Sequence, residues 1–123
     1  MIISASLHEM IPTQAWISWE NLQRIKVGFD MSKYIPPAVV RYDDGRYLIF
    51  NGHHRMFNNY LENITVFPVN LIEDDKSLAA ESEERIIKFR SIDSFVNYYT
   101  TCLKEMFERR NLVSVPDFER YMI

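Results

Sequence analysis

The run Ala38-Val39-Val40-Arg41-Tyr42-Asp43-Asp44-Gly45-Arg46-Tyr47-Leu48-Ile49-Phe50-Asn51-Gly52-His53-His54-Arg55 sets two strands and a helix start side by side. Residues 38–42 and 46–50 are rich in β-branched and aromatic side chains, which suit a pleated, half-buried surface. Asp44-Gly45 between them predicts a hairpin, because a two-residue turn needs positive φ. Beyond Gly52, the spacing of Met56, Phe57, Tyr60 and Leu61 is helical and asks for one buried face. Asn51-Gly52 is also a hairpin dipeptide, so residues 47–50 pairing with 53–57 is the alternative. Asp44-Gly45 already supplies a hairpin, and residues 56–61 do not alternate. Strand, glycine turn and helix is therefore the expectation.

The flanks extend this pattern. Residues 1–7 read as a first strand, and 8–12 as a connection, because Pro12 would disturb a central strand. Thr13 is expected to cap a short helix or turn through Trp16 and Ile17. Ser18 caps a better helix spaced by Leu22, Ile25 and Phe29 and broken at Gly28. Residues 30–33 lead to Pro36-Pro37, which ends any helix nearby. After the second helix, closed by Asn63 in left-handed geometry, residues 65–72 form a strand in which Pro68 marks an edge or a bulge. The charged turn 73–76 changes the texture. Ser77 to Arg90 is expected to be helical, with Leu78, Ile86, Ile87 and Phe89 as its apolar members. Ser91 or Asp93 caps a further helix striped by Phe95, Val96, Tyr99, Leu103, Met106 and Phe107, with Asn111 as its stop. A short last turn follows Pro116-Asp117. The order β–α–β–β–α–β with a helical tail predicts an α+β (mixed α/β) fold. It forms a single domain, 1–123, with an α/β core at 1–73 and a helical extension at 74–123.

The totals narrow the classes. The chain has 123 residues, enough for one core but tight for two. Aromatic residues at 14%, with 3 glycines and 5 prolines, argue against disorder. A net charge of −3 provides no global basic field for nucleic acid. The single cysteine, Cys102, has no internal partner for a disulfide, which fits a reducing compartment, and it is expected to be a small buried side chain. With no signal-peptide pattern and no long apolar run, the expected setting is cytoplasmic, without a membrane. Trp16, Trp19 and Phe29 are expected to line the core or a pocket.

The residues with most chemistry are those of the turn. Two histidines and an arginine follow Gly52 at once. Adjacent histidines at a helix start point about 100° apart and do not readily share one ion. His8 is distant, and no Cys or acidic residue falls at a zinc spacing, so no metal site is expected. The histidines also suit a plain structural role at a helix start. The remaining chemistry is anion recognition. Gly52 permits close backbone approach, the N–H groups of residues 53–55 point outward, and Arg55 can fork two hydrogen bonds to a phosphate. Arg41 and Arg46 would extend a basic rim, or simply decorate an exposed hairpin.

Pro37-Ala38-Val39-Val40, Asp44-Gly45-Arg46-Tyr47-Leu48-Ile49, Asn51-Gly52-His53-His54-Arg55 and Val66-Phe67-Pro68-Val69 occur in an order that resembles the ParB N-terminal/sulfiredoxin-like superfamily, over about residues 1–73. The resemblance implies a small α/β sheet whose Gly-His-His-Arg turn holds nucleotide phosphates, with ATP, ADP or CTP and Mg²⁺ as cofactors. Asn51, Gly52, His53, His54 and Arg55 are the implied phosphate-binding residues, and His53 or His54 would position or exchange a proton. Sulfiredoxins place a cysteine where His53 stands, so that chemistry is not expected. The partition proteins show Gly-Glu-Arg-Arg in this turn. The serine kinases of this fold resemble it most closely in motif and need a carboxylate, for which Glu9 and Glu20 are candidates and surface charges the plainer alternative. Alanines common after the arginine are replaced here by Phe57, Asn58 and Asn59. The expectation is a nucleotide- or phosphate-binding domain, as a small kinase or NTPase. The alternative is a non-catalytic module whose tail meets a protein, DNA or a second copy of the chain.

Overall fold

The computed structural model describes residues 1–27 and 34–123. The expectations for Gly28, for Phe29 as a core or pocket residue, and for residues 30–33 lie outside the described residues. The hairpin forms where its sequence puts it: Ala38–Asp43 pairs antiparallel with Arg46–Asn51, and Gly45 takes φ +96° in the turn. With Ile2–Ser6 (β1), Met10–Ile11 (β2) and Val66–Leu71 (β5), these strands (β3 and β4) make one mixed sheet in the order β1-β5-β3-β4-β2. β1 runs antiparallel to β5, while β3 runs parallel to β5 and β2 parallel to β4. The helices are Trp19–Val27 (α1), His53–Leu61 (α2), Asp75–Ser82 (α3), Ile92–Tyr98 (α4) and Lys104–Arg109 (α5), so the fold is α+β. No helix among the described residues is long and apolar enough to cross a membrane.

Strand alternation divides the core in two. Val39 and Ile49 face one way, onto Leu22 of α1, Met56 and Phe57 of α2, and Phe107 and Phe118. Val40, Leu48 and Phe50 face the other, onto Leu78 of α3, Phe95 of α4 and Tyr99. Each large apolar side chain so buried contributes about 1.5–3 kcal/mol. The tail belongs to both faces. Residues 92–109 form one helical run, capped at Ser91 and interrupted by a π-helical turn at Tyr99–Leu103. The extra residue of a π turn rotates the following face by roughly 100°. Phe95 and Tyr99 therefore serve one face of the sheet and Phe107 the other, while Leu103 packs against both clusters. Thr100 and Thr101 donate their hydroxyls to the carbonyls of Val96 and Asn97 at this turn.

Several expectations are corrected. Residues 8–12 are not merely a connection: a 3-10 turn at Leu7–Glu9 precedes the edge strand β2. Thr13 caps no helix; its hydroxyl is buried and donates to the Ile49 carbonyl at 2.5 Å. Helix α3 ends at Ser82, so Ile86 and Ile87 stand outside it and are exposed. Trp16 is about half exposed, at 50%, rather than in the core, whereas Trp19, exposed at 53%, lines a shallow apolar pocket with Gln23, Arg24 and Val27. Cys102 is exposed, because the π turn carries it off the buried stripe. Asn63 and Asn111 do close their helices with positive φ, +59° and +56°.

Pro68 shows no bulge in its pairing to β1, and it stands just before the ladder to β3, which begins at Asn70 opposite Ala38. Leu71 and Met1 exchange backbone hydrogen bonds, so the alternating pattern makes Ser4–Pro68 a pair that needs none. On the other side Ile72 and Asn70 donate to Val39 and Pro37, and the same step of two leads to Ile35 opposite residue 68. Proline has no N–H to give there, and the Ile35 carbonyl accepts Nη1 of Arg55 at 2.9 Å instead.

Candidate functional site

Strand β4 delivers the chain to the start of α2 through Gly52, whose φ is +105°. A Cβ at this position would stand 2.8 Å from Arg55 Nη2 and 2.8 Å from Pro37 Cβ. Glycine is therefore required twice, by the left-handed backbone and by the closeness of its neighbours. Met56 N–H donates to the Gly52 carbonyl and closes the first helical turn. Among the described residues, the backbone N–H groups of His53, His54 and Arg55 have no acceptor, as expected for the first turn of a helix.

The two histidines diverge, and both hold the segment that leads into α1. His53 is buried, and its Nε2 accepts the Thr13 N–H at 2.9 Å. His54 is partly buried, and its Nε2 accepts the Ser18 N–H at 2.9 Å. Each ring is thus neutral, with its proton on Nδ1. Burial pushes His53 down to about 3, helped by the nearby charge of Arg85. Burial also lowers His54. The same segment is clamped from its other side: Ile17 exchanges backbone hydrogen bonds with Tyr121 and Ile123, each at 2.9 Å. Phe118 packs edge-on to His53 with centroids 6.0 Å apart.

Asn51, Gly52, His53, His54 and Arg55 line a single cavity of about 410 Å³. Arg85, Ile86 and Ile87 form its far wall, and Gln14 and Ile25 complete it. Arg85 was invisible to sequence reading, because it sits 30 residues beyond Arg55 in a charged segment without a motif. Its guanidinium lies over the Phe50 ring, 4.6 Å from the centroid, and donates to the Phe50 carbonyl. Burial lowers both arginines, though an arginine remains cationic. Tyr34, Glu81 and Glu84 act on Arg55 in the opposite sense. Asn59 donates to the Tyr34 hydroxyl at 3.1 Å, while the buried side-chain amide of Asn58 has no partner among the described residues.

Glu9 and Glu20 are placed elsewhere. Glu9 accepts the Ser6 N–H at 2.8 Å within the 3-10 turn, and Glu20 pairs with Arg24 at 2.7 Å on the exposed side of α1. Neither lines the cavity. Arg46 pairs with Asp43, and Arg41 stacks on Tyr47, so neither extends a rim to Arg55. No carboxylate stands among the described lining residues, and no group of three metal-binding side chains occurs among the described residues. N–H donors and guanidinium groups fit a phosphate; they do not fit a bare Mg²⁺ ion, which takes oxygen ligands. A neighbouring cavity of about 420 Å³ is lined by Glu73, Asp74, Glu81 and Glu84 and is unsuited to anions.

No protein-family model matches the sequence, and no curated protein matches it. Among solved structures, the chain is similar to protein Atu1540 from Agrobacterium tumefaciens, with a TM-score of 0.55 and 12% identity over 96% of this chain. The chain spans 61% of that longer protein's length. At this identity the likeness is one of fold alone.

Proposed function

We infer that this chain binds the phosphate of a nucleotide or a related small ligand at the start of α2. One observation carries the reading: Gly52, in left-handed conformation between Arg55 and Pro37, opens the first turn of α2 onto a cavity that Arg55 also lines. Unpaired N–H groups and the helix dipole favour negative charge there. The resemblance of residues 51–55 to the ParB/sulfiredoxin-like turn supports the same ligand class. Calorimetric titration of ATP, ADP and CTP, with and without Mg²⁺, tests it. Arg55→Ala is expected to weaken binding by at least about tenfold, the worth of one charge-assisted hydrogen bond. Absence of binding to all three by the wild type would sink the reading.

The accompanying expectation of phosphotransferase or NTPase activity requires a base. The engaged Nε2 atoms of His53 and His54, and the positions of Glu9 and Glu20, favour the second reading, binding without turnover in a module for a protein or DNA partner. A phosphotransfer and hydrolysis assay separates them: turnover lost in His54→Ala excludes the second.

A further inference from the structure

We propose that Arg85 is a second ligand-binding guanidinium, gripping together with Arg55 a phosphate monoester in its dianionic form. This rests on the phosphate-binding reading above and specifies its ligand. Arg85 is held in place by a built loop. After α3 ends, the Arg85 N–H donates to the Ser82 carbonyl at 2.9 Å, and the Phe89 N–H donates to the buried Ser82 hydroxyl at 2.6 Å. The guanidinium is then fixed over three rings, Phe50, Phe89 and Phe95, at 4.6, 5.6 and 5.5 Å from their centroids.

Arg85 and Arg55 share an arrangement. Each is partly buried and anchored by a backbone carbonyl, that of Phe50 for Arg85 and that of Ile35 for Arg55. A guanidinium has five N–H donors, so one carbonyl leaves most of the fork for a ligand. The ion pairs among the described residues are Arg24–Glu20, Arg46–Asp43, Lys88–Glu83 and Arg120–Asp117, and neither Arg55 nor Arg85 is in one. Glu81 and Glu84 bear on Arg55 without pairing with it, and a partly buried cation is costly without a paired counter-charge, which a bound anion supplies. Two cations and a helix start on one cavity favour two negative charges over one. The cavity, at about 410 Å³, falls in the range of small-molecule sites, and Ile25 with the half-exposed Ile87 offers apolar surface for the organic part.

The test uses phenyl phosphate, a dianion near pH 7.5, against methyl phenyl phosphate, a diester with one charge. Both are titrated calorimetrically into the wild type and Arg85→Met, which keeps an apolar stem against the rings. The wild type is expected to prefer the monoester by about tenfold or more. Arg85→Met is expected to lose about tenfold on the monoester and less than threefold on the diester. An unchanged preference in Arg85→Met, or equal losses on both ligands, overturns the proposal while leaving the phosphate site standing. If the wild type binds neither these ligands nor any nucleotide, the phosphate reading itself fails and this proposal with it. Circular dichroism checks the fold. Should Arg85→Met not fold, Arg85→Gln, which removes the charge and keeps a polar side chain, is read by the same criterion, and wild-type preference there overturns the proposal.

Discussion

Gly52 and His53 show how adjacent residues can serve opposite ends, one open to the cavity and one closed into the core. For Gly52→Ala, left-handed strain adds to contacts of 2.8 Å with Pro37 and Arg55. The expected loss is about 2–4 kcal/mol by urea denaturation, and an unchanged midpoint would contradict the geometry. His53 makes an acid-sensitive fold. Unfolded, its imidazole takes a proton below about 6.5; folded, only near 3. Between those values the unfolded chain binds more protons, so stability falls as pH falls, by at most about 5 kcal/mol over the window. Protonation would turn Nε2 from acceptor to donor, facing the Thr13 N–H. His53→Gln is expected to be less stable than wild type at pH 7 but to lose less on acidification from 6.5 to 4, measured by chemical denaturation at each pH. Parallel curves for the two proteins would rule out His53 as the cause.

At the scale of elements, the π turn at Tyr99–Leu103 decides which face each half of the last long helix covers. Deleting Thr101 would restore an uninterrupted α-helix and turn α5 by roughly 100°. Phe107, now 2% exposed, would leave its cluster. The expected cost is on the order of 3 kcal/mol or more, as for loss of a buried aromatic, seen as a fall in the thermal midpoint. A deletion no worse than an ordinary surface substitution would mean that the turn sets no register. The hairpin and α2 behave differently. Their boundaries follow from local chemistry, Asp44-Gly45 and Gly52, and Asn63 closes α2 as its residue type suggests.

Across the whole molecule, residues 74–123 are as much a part of the core as the sheet. Phe95 and Phe118, both fully buried, belong to opposite clusters. Phe95→Ala and Phe118→Ala are each expected to cost about 3–5 kcal/mol in equilibrium denaturation. Both should lower a single shared transition. A separate, unshifted sheet transition in either variant would mean that the tail folds apart from the sheet.

The α+β class, the hairpin, the glycine turn and the helix behind it were legible in the chain, because each depends on residues within a turn or two of one another. What long-range packing decides was not legible. Two histidines that read as chemistry are committed through Nε2 to the backbone of Thr13 and Ser18, segments some 40 and 36 residues away. The Ile35 carbonyl is left to Arg55 because Pro68, in another strand, has no N–H. Arg85 enters the cavity only because α3 stops at Ser82 and the loop beyond it folds back onto Phe50. Local propensity acts over a few residues, whereas burial and hydrogen-bond satisfaction are settled by whichever distant groups the tertiary fold brings into reach.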